Sequence, residues 1–203
     1  TNYEMKPETM TASNKNKLDP NSFPHDKVTA VMNAAAEKSY EELFATHLED
    51  YQGIYGRVST DLSGEPSTTI PTNKQMQSYR AGNHSIYVEE LLFKHGRYLL
   101  IASSREGTLP ANLQGMWQYY ASAAWQGGYV YNINLQMNYW PALTTNLTEC
   151  AEPLTDFIRL LEKPGERTAK AYWGARGWAA GISANPFGFT APLEGQDMSW
   201  NYN

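Results

Sequence analysis

Cysteine and histidine are scarce in this sequence, which has one cysteine and four histidines among 203 residues. Because a disulfide needs two cysteines, Cys150 cannot form one within the chain. The histidines are scattered, at His25, His47, His84 and His95, without the short intervals that zinc ligands use. The sequence therefore predicts no disulfide framework, no cofactor and no transition-metal site, while a calcium site built from loop carboxylates stays open.

Long apolar runs are missing as well. No stretch of 18 or more apolar residues occurs, so no membrane span is predicted. The first ten residues, TNYEMKPETM, lack the basic region and the apolar run of a signal peptide. Either the chain is not exported or a leader lies upstream of it. The net charge of −5 argues against a nucleic-acid partner.

Charge is absent from one long stretch, residues 109–146, which contains no Asp, Glu, Lys or Arg. Amides and large aromatic rings fill it instead: Asn112, Gln114, Gln118, Gln126, Asn132, Asn134, Gln136 and Asn138 among Trp117, Tyr119, Tyr120, Trp125, Tyr129, Tyr131, Tyr139 and Trp140. Buried amides need hydrogen-bond partners, and rings favour burial, so this mixture is typical of a surface that contacts an uncharged, hydroxyl-rich ligand such as a sugar. The alternative is a buried core helix whose polar groups are satisfied internally.

Asn132 and Asn134 are two positions apart, which is about 200° around a helix but the same face of an extended strand. If both serve one site, the backbone between them cannot be regular helix. We therefore expect Asn134 to be the N-cap of a helix that begins at Leu135. Pro141 lies inside that helix and predicts a kink or a stop near Tyr139.

The rest of the chain has helical periodicity. Apolar residues recur every three or four positions from Asp26, after Ser39, from His84 to Ala102, from Thr148 to Leu161 and from Gly165 to Tyr172. Ser39 and Glu42 have the spacing of a capping box. No alternating run is long enough for a sheet, so six or seven helices and an all-α fold are predicted. The 41% hydrophobic content is sufficient for the core of one domain.

Four residues within these helices are expected to be structural. His47 and His95 lie among apolar positions and are interpreted as packed histidines. Gly96 lies inside a strong helix, which indicates close packing of a neighbouring helix. For Arg97 we expect an ion pair.

Several motifs resemble one family. LPANLQGMW, NINLQMNYWPA, NLTEC and the GRYLLI segment occur in the order found in glycoside hydrolase family 95, and the resemblance extends from about Ser39 to the end. It implies a partial (α/α)6 toroid that follows a β-sandwich domain. On this basis residues 1–25 are predicted to be a linker or tail of that upstream domain. Residues 26–203 are predicted to be the first part of the catalytic toroid, so the chain is interpreted as an internal fragment.

The resemblance also implies an activity. Family members remove terminal α-L-fucose or α-L-galactose by inversion, and two asparagines hold the attacking water. These correspond to Asn132 and Asn134. The general acid and base would lie beyond Asn203, which implies that the fragment alone is inactive. Glu149, Glu152 and Glu194 are the nearest acidic residues; a solvated helix face is expected for the first two, and the third is a weak substitute for the acid.

The glycan is the expected partner, together with the rest of the same enzyme. We expect it to contact Gln114, Trp117, Trp125, Val130, Tyr131 and Trp178, although Trp178 could instead anchor its long loop. Family fucosidases carry histidine two residues before the first asparagine and galactosidases carry threonine, but this sequence has Val130. The departure argues against a strict α-1,2-fucosidase and favours an α-L-galactosidase or a relative that acts on another deoxy or L-sugar. A bacterial enzyme, secreted or periplasmic, is expected.

Two other functional classes remain as alternatives. A carbohydrate-binding helical module without catalysis would have the same amide and aromatic lining. A helical scaffold for other proteins would not bind sugar at all.

Overall fold

The computed structural model describes residues 24–62, 64–65 and 69–192, and within them the chain is built mainly of helix. The α-helices are α1 (Pro24–Ala36), α2 (Tyr40–Tyr55), α3 (Thr72–Arg80), α4 (Ile86–Ser103), α5 (Asn134–Thr144) and α6 (Glu152–Trp173). Two short strands, β1 (Tyr129–Val130) and β2 (Ser183–Ala184), pair antiparallel. The all-α class is confirmed, and this helix-dominated architecture agrees with part of a helical toroid.

The prediction of a linker over residues 1–25 falls largely outside the described residues and stays a prediction. Pro24 and His25 already belong to α1. The predicted capping box of α2 is confirmed. Glu42 N donates to Ser39 Oγ at 3.2 Å, and Ser39 N donates to the Glu42 carboxylate at 2.8 Å, so two of the amides at the helix start are satisfied.

The core lies where α4, α5 and α6 meet the end of α2. Its most deeply buried members include Ile101, Leu147, Phe157 and Leu161. A hydrogen-bond network links the segments across this core. Ser104 Oγ donates to Cys150 O at 2.7 Å, so its contact with Tyr139 Oη at 2.8 Å uses the phenol proton. The phenol oxygen in turn accepts from Ala111 N at 2.7 Å.

Arg97 is buried, with 3% exposure, and among the described residues it binds backbone carbonyls and not the carboxylate that the prediction of an ion pair requires. Its guanidinium donates to Tyr55 O at 2.8 Å and Val58 O at 3.2 Å, at the carboxyl end of α2, and lies 5.1 Å from the centroid of the Tyr55 ring. The free carbonyls at a helix end carry partial negative charge, so they attract the cation as a carboxylate would.

Two proline positions differ from the predictions. Helix α5 begins at Asn134, one residue before the predicted start, and continues through Pro141 to Thr144. It therefore does not stop near Tyr139, and the other predicted outcome, a kink there, stays a prediction. Helix α6 continues through Pro164, so the two predicted helices over 148–161 and 165–172 are one helix preceded by a 3-10 turn, Thr148–Ala151. The tertiary contacts at this point offset the lost hydrogen bond. Ala179 N donates to Gly165 O at 3.1 Å, and a Cβ on Gly165 would lie only 3.0 Å from the Trp178 ring.

The described residues leave a large apolar surface uncovered. Helix α1 has no buried residue, and Val31 and Met32 are about two-thirds exposed. The neighbouring helix expected at Gly96 is not found among the described residues, since a Cβ added to Gly96 would meet no atom within 4 Å beyond its own helix backbone and chain neighbours. His47 and His95 are exposed, not packed, and stack on Tyr51 and Tyr98 one turn later.

Candidate functional site

The backbone between Asn132 and Asn134 is irregular. Strand β1 leads into a turn over residues 131–133, and Tyr131 N donates to Ile182 O at 2.7 Å. Ile133 has φ +102°, a region that β-branched residues avoid, and it is the N-cap in place of the predicted Asn134. Asn134 is the first helical residue and is exposed, whereas Asn132 is half-buried. The two asparagines therefore do not lie on one continuous helix.

Gln136 holds this turn in place. Its Oε1 accepts from Ile133 N at 3.1 Å, and its Nε2 donates to Tyr131 O. Met137 N also donates to Ile133 O at 2.8 Å, which closes the first turn of α5. One amide side chain thus bridges the residues on both sides of Asn132. These hydrogen bonds stabilise the positive φ of Ile133, a backbone conformation that costs about 1–3 kcal/mol.

Tyr131 places a buried phenol next to Asn132. Its hydroxyl has no hydrogen-bond partner among the described residues, and burial raises its pKa. Tyr129 is also buried, with its pKa raised to about 12 by burial, but its hydroxyl donates to Pro110 O at 3.0 Å. The Tyr131 hydroxyl is therefore a neutral donor that the described residues leave unused.

Two cavities lie beside the charge-free stretch. The first, which we name the apolar groove, runs between α4 and residues 111–117, has a volume of about 560 Å³, and is lined in part by Leu92, Phe93 and Trp117. The second, which we name the amide pocket, lies between residues 112–128 and 183–189 and has a volume of about 640 Å³. None of the residues lining the amide pocket is charged.

The residues predicted to contact the sugar do not all line one cavity. Gln114 lines both cavities, Trp117 the apolar groove and Trp125 the amide pocket. Val130 is half-buried in β1 opposite Ser183. Trp178 packs on Gly165 of α6 and lines neither cavity, which favours its role as a loop anchor.

Sequence reasoning missed the contribution of β2 and its flanks. The pairing of Tyr129 with Ala184 brings Ser183 and Asn185 to the amide pocket, whose lining also includes Phe189, a residue that the sequence had offered as a wall of the sugar site. Two-residue strands carry no detectable alternation, so no local pattern could have indicated this contact.

The acidic residues near the site have structural partners or lie elsewhere. Glu149 forms an ion pair with Arg57 at 2.6 Å, which corrects the solvated face expected for it. Glu152 is exposed at the start of α6, and Glu194 lies outside the described residues. Among the residues with described positions, no group of three or more His, Cys, Asp or Glu side chains is placed to hold a metal ion. No helix in the described ranges is both long and apolar enough to cross a membrane.

Comparison with known proteins decides the family. The family model for the glycosyl hydrolase family 95 catalytic domain matches residues 39–203. The chain belongs to this family. It is 40% identical over 185 residues to alpha-L-fucosidase 2 of Arabidopsis thaliana, and 42% identical over 198 residues to a probable alpha-fucosidase A of Aspergillus niger. These alignments cover 89% and 94% of the chain.

The family 95 chain spans only 21% and 24% of the length of these two relatives. A third relative, a probable alpha-fucosidase A of Aspergillus oryzae, is 37% identical over 84% of the chain and 24% of its own length. The relatives come from a plant and from fungi, so they do not support the expected bacterial origin.

Proposed function

We propose that this chain is part of an inverting exo-glycosidase that removes terminal α-L-fucose, or the related α-L-galactose, from glycans. The observation that carries the proposal is the backbone between Asn132 and Asn134. A β-branched residue at φ +102° separates a half-buried amide from an exposed amide at a helix start. Strain of this kind persists where the surroundings hold it, and it is concentrated at catalytic and ligand-binding sites.

In this mechanism the two asparagine side chains hold one water molecule. One accepts a hydrogen bond from the water and the other donates Nδ2–H to the water oxygen, so the second water proton is left for the general base. The water is thereby oriented with a lone pair toward the anomeric carbon of the sugar. A general base removes its proton, and a general acid on the opposite face protonates the leaving oxygen, with the two carboxyl groups about 6.5–9.5 Å apart. Because Glu149 is paired with Arg57, we propose that both carboxyl groups come from outside residues 1–203.

Fucose is the first substrate to test, because the relatives are named fucosidases. Val130 has no side-chain donor or acceptor for the sugar at its position. The unpartnered Tyr131 hydroxyl, one residue later, is a neutral donor that could compensate for it. A site that binds through Tyr131 tolerates either L-sugar better than a site with histidine or threonine at position 130.

The rest of the same enzyme is the proposed partner of the uncovered apolar surface. Apolar side chains of α1 and of the apolar groove beside α4, such as Val31, Met32 and Leu92, are exposed, and exposed apolar patches are typical of surfaces that contact other parts of a protein. The relatives are roughly four times as long as this chain, since aligned stretches of 185, 198 and 174 residues make up only 21%, 24% and 24% of their lengths. Additional helices of a complete toroid would bury these faces.

The test uses the intact protein that carries this chain. Release of fucose from an aryl α-L-fucoside and of galactose from the matching galactoside is measured, and NMR identifies the anomer first formed. Inversion requires the β-anomer, and an initial α-anomer would contradict the mechanism. Turnover by the isolated 203-residue chain would contradict the external origin of the acid and base.

The same assay distinguishes an enzyme from a binding module. In a hydrolase, Asn132→Ala lowers kcat with little change in sugar affinity, because water positioning is lost and ground-state binding is retained. In a carbohydrate-binding module without catalysis, no turnover is found and only the affinity changes.

A further inference from the structure

The amide pocket contains an unused hydrogen-bond acceptor. Gln114 Nε2 donates to Ala124 O at 3.1 Å, which fixes the orientation of the amide. Its Oε1 is buried and has no partner among the described residues. Leaving a buried acceptor without a donor is unfavourable, because the group has lost its water and gained no partner. A ligand hydroxyl could donate to it.

Two fixed donors belong to the same pocket. Asn112 Oδ1 accepts from Gln114 N at 2.8 Å, and Asn185 Oδ1 accepts from Phe187 N at 3.0 Å. In both side chains the oxygen is therefore held by the local backbone. Neither Nδ2 has a hydrogen-bond partner within the described part of the chain, so each remains available as a donor.

Gly127 keeps the space between donor and acceptor open. A Cβ at this position would lie 3.2 Å from Gln114 Oε1 and 3.8 Å from Asn112 Nδ2. A hydroxyl group both donates and accepts, so one sugar hydroxyl between these two atoms would satisfy both. Charged ligands are disfavoured here, because no lysine, arginine or carboxylate lines the pocket.

An exposed aromatic ring is held at the rim of the pocket. Trp125 and Gln126 have φ +53° and +59°, and Trp125 is 81% exposed. A left-handed backbone is unfavourable at a residue with a side chain, because Cβ approaches the following carbonyl oxygen. The strained turn therefore presents an indole to solvent next to a row of amides. Sugar rings stack on aromatic faces through their C–H groups, so this is a favourable edge for a neutral saccharide.

The amide pocket is connected to the asparagine pair by β1. Gly128 lines the pocket, and Asn132 lies four residues farther along, a distance that an extended chain limits to about 14 Å. When the terminal L-sugar is bound at Asn132, the saccharide linked to it is within reach of the amide pocket. Resting on the proposed glycosidase activity, we propose that the amide pocket binds the neutral saccharide that carries the terminal L-sugar.

The test is a specificity ratio measured on the intact protein. The kcat/KM for fucosyllactose, which has a neutral disaccharide behind its fucose, is divided by the kcat/KM for an aryl α-L-fucoside, which has none. In Asn112→Asp and Asn185→Asp the oxygen that holds the side chain is retained and the Nδ2 donor is lost. Each variant should lower the ratio about fivefold, the effect of one lost hydrogen bond.

Asn83→Asp is the matched control. Asn83 lies on an exposed segment after α3, and its Nδ2 donates to Ser78 Oγ at 3.1 Å. The substitution Asn83→Asp introduces the same charge at a position distant in sequence from the pocket. The ratio of the two kcat/KM values should therefore remain at the wild-type value. Circular dichroism confirms that all three variants are folded. A ratio that stays within twofold of wild type in both pocket variants would overturn the proposal.

A second measurement separates this proposal from the proposed activity. Lactose, the disaccharide without fucose, is titrated into the wild-type protein and the variants by ligand-observed NMR. If no fucoside is cleaved, the proposed activity fails, and the titration alone decides on the pocket. Lactose binding that weakens about fivefold in the pocket variants supports the pocket. Equal binding in wild type and variants, or no binding to wild type, overturns it.

Discussion

Tyr131 and Tyr139, at the two ends of one short segment, use their hydroxyl groups differently. The Tyr139 hydroxyl contacts Ser104 Oγ and Ala111 N, so its hydrogen-bonding capacity is used inside the protein. The Tyr131 hydroxyl has no partner in the described part of the molecule. Burial raises the pKa of both phenols. A satisfied phenol stabilises the fold, whereas an unsatisfied phenol beside a strained turn is available to a ligand.

Among the variants expected to affect catalysis, Asn132→Ala should have the largest effect. Asn132→Ala should lower kcat about 10²- to 10⁴-fold. Without the asparagine, the attacking water is no longer held in the geometry for reaction and must reach it by diffusion from solvent. KM and the melting temperature should stay close to wild type. Steady-state kinetics and thermal unfolding check both statements, with Asn73→Ala on exposed α3 as the control. A kcat within threefold of wild type would remove Asn132 from the reaction.

Tyr139→Phe provides the largest expected effect on the structural side. The change leaves Ala111 N without its acceptor and Ser104 Oγ without a donor in a buried site, which should cost about 2–4 kcal/mol of unfolding free energy. Hydrogen exchange should accelerate at the Ala111 amide, and the melting temperature should fall. Unaltered protection of that amide would show that the network contributes little to stability.

Gln136 tests whether the turn geometry itself matters. Gln136→Met keeps the side-chain length but removes the bonds to Ile133 N and Tyr131 O, so the turn is free to relax from φ +102°. We expect kcat to fall about tenfold and KM to change less than threefold, because Gln136 acts by positioning Asn132 and does not contact the sugar. Gln77→Met on the exposed face of α3 is the control. Equal changes in kcat and KM would contradict a positioning role.

The local features of this chain could be predicted from its sequence. The capping box at Ser39 depends on residues three apart, and the irregular backbone at residues 132–134 follows from the spacing of two asparagines. Features that depend on distant contacts could not. Arg97 binds carbonyls 39–43 residues earlier in the chain. Helix α6 continues through Pro164 because Ala179 packs on it from a later loop.

The candidate site divides in the same way. The charge-free composition of residues 109–146 indicated a neutral ligand, and the asparagine spacing indicated where the backbone must be irregular. Asn185 could not be included, because it reaches the amide pocket only through the pairing of two two-residue strands. Trp178 was predicted to contact the sugar from its residue type alone. It instead packs on Gly165 of α6, which the sequence analysis had predicted as two separate helices.

Tyr131→Phe has the smallest expected effect and gives the sharpest contrast with Tyr139→Phe. Removing a buried hydroxyl that has no partner breaks no internal hydrogen bond, so the free energy of unfolding should change by less than about 0.5 kcal/mol, or increase. The lost donor should instead raise KM for the aryl α-L-fucoside about threefold to tenfold, the range expected for one neutral hydrogen bond. The two tyrosine variants are compared in the same unfolding and kinetic assays. Since both remove one oxygen from a buried ring, only the presence or absence of a partner in the protein distinguishes them. If Tyr131→Phe destabilised the protein as strongly as Tyr139→Phe and left KM unchanged, the unpartnered phenol would be part of the scaffold, and an unsatisfied buried group would no longer indicate the sugar site.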